Sequence, residues 1–239
     1  MAFESSPISR FRMIEVDDAP SAPGIYAWYA RMQTGSEDWK IRTQDGRDVS
    51  TDAFADLLRQ YASYHQPRPI PLRGEASYGG RWAGSLALEQ PLDFISEMRS
   101  NGEDLPDEAS DLYDTISSES GRKILATMLD QAIPVFSSPM YIGVAKDLND
   151  RLLRHRTDFD KGVQWLSKNP GEAESLATRA KNFGLRAAAK GLAMEQLEVW
   201  VIETSPSGMG DVDAVQLRSI AHTTEWLLHK IFAPVLGKR

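Results

Sequence analysis

The sequence contains no cysteine and no long apolar segment. The absence of cysteine among 239 residues excludes disulfide bonds and cysteine-ligated zinc sites, and it is typical of proteins from reducing compartments. There is no run of about 18 apolar residues, so we expect no transmembrane helix. The first residues, MAFESSPISRFRMIEVDD, lack the apolar stretch of a signal peptide. We therefore expect a cytoplasmic protein without a membrane partner.

An excess of positive charge is also missing, but the acidic residues are unevenly distributed. The net charge is -7, whereas binding to nucleic acid depends on Lys and Arg that neutralise phosphates. Residues 1–140 contain 13 Lys and Arg against 22 Asp and Glu, while residues 141–239 contain 14 against 12. Nucleic-acid binding is therefore compatible with the C-terminal part of the chain, although the total charge argues against it.

Local patterns predict two groups of elements with a different segment between them. After a first strand over 24–30, the intervening segment favours a helix over 51–64, with Thr51 or Asp52 as N-cap, and further helix over 106–130. From residue 140 the patterns are clearer. They predict a strand over 141–145, a helix from the N-cap Asp147 to about Thr157, a helical zone over 172–190 interrupted at Gly184, a strand over 196–204 and a helix over 212–232.

Two triplets, Gly24-Ile25-Tyr26 and Tyr141-Ile142-Gly143, resemble the signature strands of the GIY-YIG nuclease superfamily. The resemblance implies an α/β (α+β) fold with a β-β-α-α-β-α core, in which the two strands form a hairpin. Here 114 residues separate the triplets, against about ten in most members of the superfamily. We therefore predict a nuclease-like core from residues 1–30 and 140–239. Residues 31–139 are predicted to form a mainly helical insertion in the first hairpin that reads the substrate or regulates the core.

The residues that follow the second triplet carry the rest of the resemblance. Arg151 lies ten residues after Tyr141, where the superfamily has an arginine, and His155 follows at i+4 on the same predicted helix face. Glu225 lies in the last predicted helix, where the superfamily has its metal-binding glutamate. The chain departs from the pattern at Gly237, because many members have an asparagine there. The resemblance thus implies a catalytic set of Tyr26, Tyr141, Arg151, His155 and Glu225.

These residue types fit the hydrolysis of a phosphodiester bond. Glu225 supplies a hard oxygen ligand for Mg²⁺ or Mn²⁺, and the fork of Arg151 suits phosphate oxygens. Tyr26 is the candidate for orienting or deprotonating the attacking water, with His155 as the partner that takes up the proton. Tyr141 is expected to orient the phosphate or the other tyrosine by hydrogen bonding.

The expected activity is metal-dependent cleavage of DNA, with double-stranded DNA as partner. A sequence-reading insertion suggests a restriction or defence nuclease, and a homodimer is an open option. Basic residues near the predicted core are candidates for contacts with the phosphate backbone. They include Lys146, Arg154, Arg156, Lys181 and Arg186.

Two other hypotheses remain open. Gly237 and the negative charge are compatible with a catalytically impaired module that binds DNA or a protein partner. His222, Glu225 and His229 at i, i+3 and i+7 form a stripe that could ligate zinc, although their spacing is not that of known zinc-hydrolase motifs.

Overall fold

The computed structural model describes residues 8–65, 72–77, 83–88, 107–204 and 214–237. The chain divides into two compact units. One, the split unit, combines residues 1–31 with 133–239, and the other, the inserted unit, comprises residues 32–132. The insertion predicted from sequence, 31–139, begins one residue earlier and ends seven residues later than the inserted unit.

The described part of the chain is a mixture of strands and helices, as the sequence predicted. The strands are β1 Ser9–Arg12, β2 Gly24–Ala30, β3 Thr43–Gln44, β4 Arg47–Asp48, β5 Leu72–Ser77, β6 Ala83–Leu88, β7 Tyr141–Ala145 and β8 Leu197–Glu203. The helices are α1 Ser36–Trp39, α2 Ser50–Tyr64, α3 Asp107–Ile116, α4 Glu119–Phe136, α5 Leu148–Lys168, α6 Ala173–Arg179, α7 Phe183–Ala189 and α8 Ala214–Phe232. Two 3₁₀ helices cover Met13–Asp18 and Met194–Gln196.

A four-stranded antiparallel sheet organises the split unit. Its strand order is β1-β8-β2-β7, so β2 lies between β8 and β7 although more than a hundred residues separate it from either. Aromatic and β-branched residues dominate these strands, which suits a pleated surface. Alternate residues of β2 point to one face, and Tyr26 and Trp28 are buried there.

Helix α5 packs beside this sheet and runs further than the sequence predicted. Its N-cap is Asp147, as predicted, because the Asp147 carboxylate accepts a hydrogen bond from the backbone N–H of Asp150 at 2.9 Å. The helix continues to Lys168 instead of ending near Thr157. Four of its buried residues recur at spacings of four, three and four, which defines the face it buries. They are Leu148, Leu152, His155 and Phe159.

Helix α7 packs closely against α5, and a glycine makes this approach possible. A Cβ atom on Gly184 would lie 2.3 Å from the carbonyl oxygen of His155 and 2.6 Å from the backbone nitrogen of Phe159. The predicted interruption at Gly184 was wrong, because this glycine lies inside α7 and serves helix packing. The break between α6 and α7 falls at residues 180–182.

A buried arginine connects separate segments of the inserted unit. Arg122 of α4 is fully buried, and its guanidinium donates to the carbonyl oxygens of Ile116 and Lys40 at 2.6 and 3.0 Å. Helix α2 begins at Ser50 with Val49 at its N-cap position, and the Asp48 carboxylate just before it accepts from the backbone N–H groups of Ser50 and Thr51 at 2.8 and 3.3 Å. The prediction of Thr51 or Asp52 as N-cap was therefore wrong.

Within the described residues, the search for a helix with the length and apolarity of a membrane span finds none.

Candidate active site

The two triplets lie side by side in the sheet, and their register places Tyr26 opposite Gly143. Strands β2 and β7 are antiparallel neighbours, with Tyr26 paired to Gly143 and Trp28 paired to Tyr141. A Cβ atom on Gly143 would lie 2.4 Å from the hydroxyl oxygen of Tyr26 and 3.0 Å from the ring of Tyr141. Glycine at position 143 therefore makes room for the phenol of the neighbouring strand.

Helix α5 brings Arg151 and His155 to the same hydroxyl group. Arg151 donates from Nε to Tyr26 Oη at 3.1 Å, and His155 Nε2 lies 3.5 Å from that oxygen. The i,i+4 spacing predicted a shared helix face, and both side chains do contact Tyr26. The phenol of one strand is thus held from the side by one helix.

Trp28 fixes which nitrogen of His155 carries the proton. The indole Nε1–H of Trp28 lies 3.0 Å from His155 Nδ1, and an indole nitrogen can only donate. Nδ1 must therefore be the acceptor, and neutral His155 carries its proton on Nε2. That Nε2–H faces Tyr26 Oη, so His155 is a donor to the phenol.

This arrangement differs from the role predicted for His155. Burial lowers the pKa of His155 to about 3, and the positive charges of Arg151, Arg154 and Arg186 add to the effect. The imidazole is 3% exposed and neutral at physiological pH, with no free lone pair for a proton from Tyr26. We interpret His155 as a residue that positions Tyr26, rather than one that accepts its proton.

An aromatic cluster surrounds the hydroxyl of Tyr26. The ring centroid of Tyr141 lies 6.1 Å from that of Tyr26 and 5.7 Å from that of His155. Phe183 of α7 stacks on Trp28 at 5.1 Å and contacts Tyr141 at 5.2 Å. Packing of this density allows few alternative side-chain positions, so the geometry around Tyr26 Oη is well defined.

Burial and the positive charge of Arg151 have opposite effects on the pKa of Tyr26. Burial raises the pKa of Tyr26 above its ordinary value, the neighbouring Tyr141 raises it further, and the charge of Arg151 opposes both. Tyr26 is therefore a phenol at neutral pH in the protein alone. The two N–H groups directed at its oxygen favour the ionised form whenever an additional positive charge is supplied.

Helix α8 carries Glu225 one turn before a histidine that contacts the cluster. His229 packs edge-on against Tyr141 at 6.2 Å, and its Nε2 lies 2.9 Å from the carbonyl oxygen of Ile142. Glu225 is at i-4 on the same helix face, its side chain is 23% exposed, and its Oε2 lies 3.8 Å from His222 Nδ1. The carboxylate is thus partly exposed, and its polar neighbour is His222. Among the described contacts, none joins Glu225 to Tyr26, Tyr141, Arg151 or His155, with which it was predicted to form the site.

The donor set suits a hard divalent cation better than zinc. Mg²⁺ is typically held by one or two carboxylates and keeps several waters, which Glu225 can satisfy. His229 Nε2 donates to the Ile142 carbonyl, which leaves only Nδ1 of this ring with a lone pair. In the part of the chain that the structure describes, no group of three or more His, Cys, Asp or Glu side chains is arranged around a metal position.

The predicted backbone-contacting residues fall into three groups. Lys146 and Lys181 are exposed. Arg154 is paired with Asp150, and Arg156 donates to Asp17 at 2.9 Å, so both already have a carboxylate partner. The fifth, Arg186 of α7, is only partly exposed and donates to the carbonyl oxygen of Gly237 at 3.0 Å.

Sequence reasoning missed Trp28 and His229 as neighbours of the site. Trp28 lies two residues after Tyr26, and the period of a strand places both side chains on one face, so its position could have been inferred. His229 was considered only as a zinc ligand. Its contact with Tyr141 depends on how α8 packs against β7, which the sequence pattern does not specify.

The chain matches no protein-family model, no curated protein and no solved structure. The resemblance to the GIY-YIG superfamily therefore rests on the residues and on the arrangement described above.

Proposed function

We propose that this protein is a metal-dependent endonuclease that hydrolyses DNA phosphodiester bonds at a GIY-YIG-type site. The observation that supports the proposal most is the convergence on one phenol of residues from two strands and a helix. Tyr26 Oη receives N–H groups from Arg151 and His155 and lies beside Tyr141. A structural tyrosine needs one hydrogen-bond partner, and this set of donors is larger than packing requires.

Tyr26 is the proposed base for the attacking water. Its pKa would be lowered by a cation held by Glu225 so that its own proton leaves to solvent, and the phenolate would then take the proton of the water. The phenolate form is favoured by Arg151 Nε–H and His155 Nε2–H, which hold its oxygen in a fixed position. The remaining nitrogens of the Arg151 guanidinium are assigned to the oxygens of the scissile phosphate, where they offset developing negative charge. Tyr141, in contact with both Tyr26 and His155, orients these groups.

Glu225 is the residue that would hold Mg²⁺ or Mn²⁺. A bound divalent cation supplies Lewis-acid stabilisation of the phosphate charge and helps to lower the pKa of nearby acids. The partly exposed carboxylate, with no cluster of metal-ligating side chains around it among the described residues, is compatible with a cation that retains water and takes substrate oxygens.

DNA is proposed as the substrate because the superfamily resemblance implies it and because residues 141–239 lack the acidic excess of the remainder. The inserted unit is proposed to read the substrate, which would make the protein a restriction or defence nuclease. Digestion of a sequence-diverse DNA library is expected to give discrete fragments. A featureless smear would contradict sequence reading without affecting the proposed chemistry.

The principal test is cleavage of supercoiled plasmid in the presence of Mg²⁺ or Mn²⁺. We expect Glu225→Ala to abolish cleavage, whereas Glu174→Gln, on an exposed position of α6, leaves it unchanged. Tyr26→Phe is expected to lower the rate by about 100-fold or more. Tyr29→Phe, on the opposite face of the same strand, is its matched control. Cleavage that persists in Glu225→Ala would indicate a contaminating nuclease and refute the proposal.

A second candidate function is a DNA- or partner-binding module that does not cleave. The observation that favours it is Gly237, which supplies no side chain where many superfamily members have an asparagine. Metal-dependent plasmid cleavage by the wild type would exclude this alternative. Tight binding of a short duplex without cleavage under any divalent cation would support it.

A further inference from the structure

Arg186 differs from the other basic residues of the split unit in how its guanidinium is held. It lies on α7, one turn after Phe183, whose ring contacts Trp28, Tyr141 and His155. One terminal nitrogen donates to the Gly237 carbonyl at 3.0 Å. Its Nε is buried and has no hydrogen-bond partner among the residues that the structure describes.

An unpartnered buried N–H group of a cation is unfavourable in the free protein. Leaving such a donor without a partner costs free energy, and the cost is larger for a charged group than for a neutral one. Burial lowers the pKa of Arg186, and Tyr141 opposes that change. Among the described residues, neither Arg186 nor Arg151 has a carboxylate within 4.0 Å. Both guanidinium groups are therefore without a negative partner in the part of the chain that the structure describes.

We propose that Arg186 is a second phosphate-binding arginine of the site, and that its guanidinium donates to an anionic oxygen of the bound phosphodiester. The Gly237 carbonyl anchors the guanidinium for this contact. The proposal rests on the proposed function for the identity of the ligand. It assigns Arg186 to the site itself and not to a general backbone-tracking surface.

Gly237 has a defined part in this arrangement. A Cβ atom at position 237 would lie 2.9 Å from Pro234 Cγ and 3.1 Å from His229 Nδ1, so a side chain there would disturb the turn. The backbone oxygen of Gly237 instead fixes Arg186. The position therefore contributes through its carbonyl, by holding a cation.

Binding can be measured directly on the arginine Nε–H groups by ¹⁵N–¹H NMR without any metal. Resonances are assigned with Arg186→Lys and Arg151→Lys, and the protein is titrated with inorganic phosphate and then with a short DNA duplex. We expect a saturable shift of the Arg186 Nε–H signal. Arg122 is an internal reference, since its Nε already donates to the Ile116 carbonyl at 2.6 Å and should not respond.

The two probes distinguish the source of the phosphate. A response to both indicates recognition of the phosphate group itself, and a response to the duplex alone indicates that a phosphodiester is required; either supports the proposal. If the Arg151 signal shifts and the Arg186 signal does not, or if neither responds to either probe, the proposal is refuted.

Kinetics provide a second test with a readout that a purely structural role would not change. We expect Arg186→Gln to lower kcat/KM by about tenfold or more, and Arg186→Lys to lower it less. The slope of log affinity against log salt for the duplex should fall by about one in Arg186→Gln. Arg12→Gln, on β1 of the split unit and paired with Glu15, is the control and should leave both quantities unchanged.

Failure of this inference and failure of the proposed function have different signatures. A wild-type protein that binds the duplex and shifts Arg186 Nε–H but never cleaves refutes the nuclease proposal alone. A wild-type protein that cleaves, together with an Arg186→Gln variant of normal kcat/KM and salt slope, refutes the role of Arg186 alone.

Discussion

Each unit has an arginine with a buried Nε, and the two differ in how many of their donors have a partner. In the inserted unit Arg122 is 0% exposed, and all three of its guanidinium nitrogens donate. In the split unit Arg186 uses one nitrogen and leaves a buried Nε without a partner. The acceptors of Arg122 are at 2.6 to 3.5 Å: the carbonyl oxygens of Ile116, Trp39 and Lys40, the hydroxyls of Ser50 and Thr51, and the carboxylate of Asp48.

The number of satisfied donors distinguishes an arginine that holds the fold together from one that can still bind a ligand. A buried guanidinium whose donors are all satisfied has nothing left to offer a ligand, so its effect is to hold segments together. A guanidinium that still has N–H groups without an acceptor can use them to bind an anion. Arg122 therefore belongs to the interior of the inserted unit, and Arg151 and Arg186 keep donors that the proposed site would use.

The largest effect expected from this comparison is on the stability of the inserted unit. Replacing Arg122 by Met removes the cation from a saturated network and leaves Asp48, Ser50 and Thr51 without their partner. We expect a loss of about 3–5 kcal/mol in the free energy of unfolding. Hydrogen exchange should increase for the amides of α2 and α4, with little change in β2, β7 and α5.

Arg59→Gln is the matched control, because Arg59 forms an ion pair with the exposed Asp56 on the same unit. Its effect should remain below about 1 kcal/mol. Equal increases of exchange in both units for Arg122→Met would contradict the assignment of Arg122 to the inserted unit's interior.

The local features of the site were accessible from the sequence, and the long-range ones were not. The spacing from Tyr141 to Arg151 and His155 and the N-cap Asp147 follow from helix geometry over a few residues, and the structure has them as predicted. The strand over 24–30 could also be bounded, because aromatic and β-branched residues fill it. Such features depend on local propensity and period.

The donor to His155 and the anchor of Arg186 come from distant parts of the chain. Trp28 is 127 residues from His155, and Gly237 is 51 residues from Arg186. These contacts depend on sheet register and on how closely the helices approach, which no local pattern encodes. The role of His155 was mispredicted for this reason, since its tautomer is set by Trp28.

The second prediction concerns the neutral state of His155, whose pKa is affected by the positive charges of Arg151, Arg154 and Arg186. Because the pKa of His155 is lowered to about 3 in the folded protein, its protonation favours unfolding. Its contribution is fully present above the unfolded pKa of about 6.5 and is lost as the pH falls towards the folded value. The loss is about 1.4 kcal/mol per pH unit in that window.

Chemical denaturation of wild type and His155→Asn between pH 7.5 and about 4 measures this term as a difference. Asparagine retains an acceptor for Trp28 but does not titrate, so the stability gap between the two proteins should narrow as the pH falls. Titration of carboxylates affects both proteins alike. A gap that stays constant over this range would show that His155 is not held neutral by its surroundings.

The smallest expected effect on stability concerns the space that Gly143 leaves for Tyr26. The added Cβ in Gly143→Ala would lie 2.4 Å from Tyr26 Oη and 2.5 Å from Cζ, so the phenol must move away from Arg151 Nε. Overpacking of this kind typically costs about 1–3 kcal/mol. Displacing a catalytic group by about 1 Å can lower a rate by about 100-fold. The rate of plasmid cleavage should therefore fall by about 100-fold, while the free energy of unfolding falls by only about 1–3 kcal/mol.

Gly35→Ala controls for the substitution itself, because the nearest neighbour of a Cβ at position 35 is Asp38 Oδ2 at 3.8 Å. If Gly143→Ala retains full cleavage, the position of Tyr26 Oη does not matter for the reaction. The hydrogen bonds from Arg151 and His155 to this oxygen would then be structural, as the hydrogen bonds of Arg122 are. If cleavage is lost while the protein remains folded, the reaction depends on the position of Tyr26, which Gly143 on the neighbouring strand sets. Arg151 and Arg186 would then act together with this phenol. Gly143 would then contribute to the reaction through the space it leaves. Only a hydrogen atom at position 143 lets the two strands place Tyr26 and Tyr141 side by side.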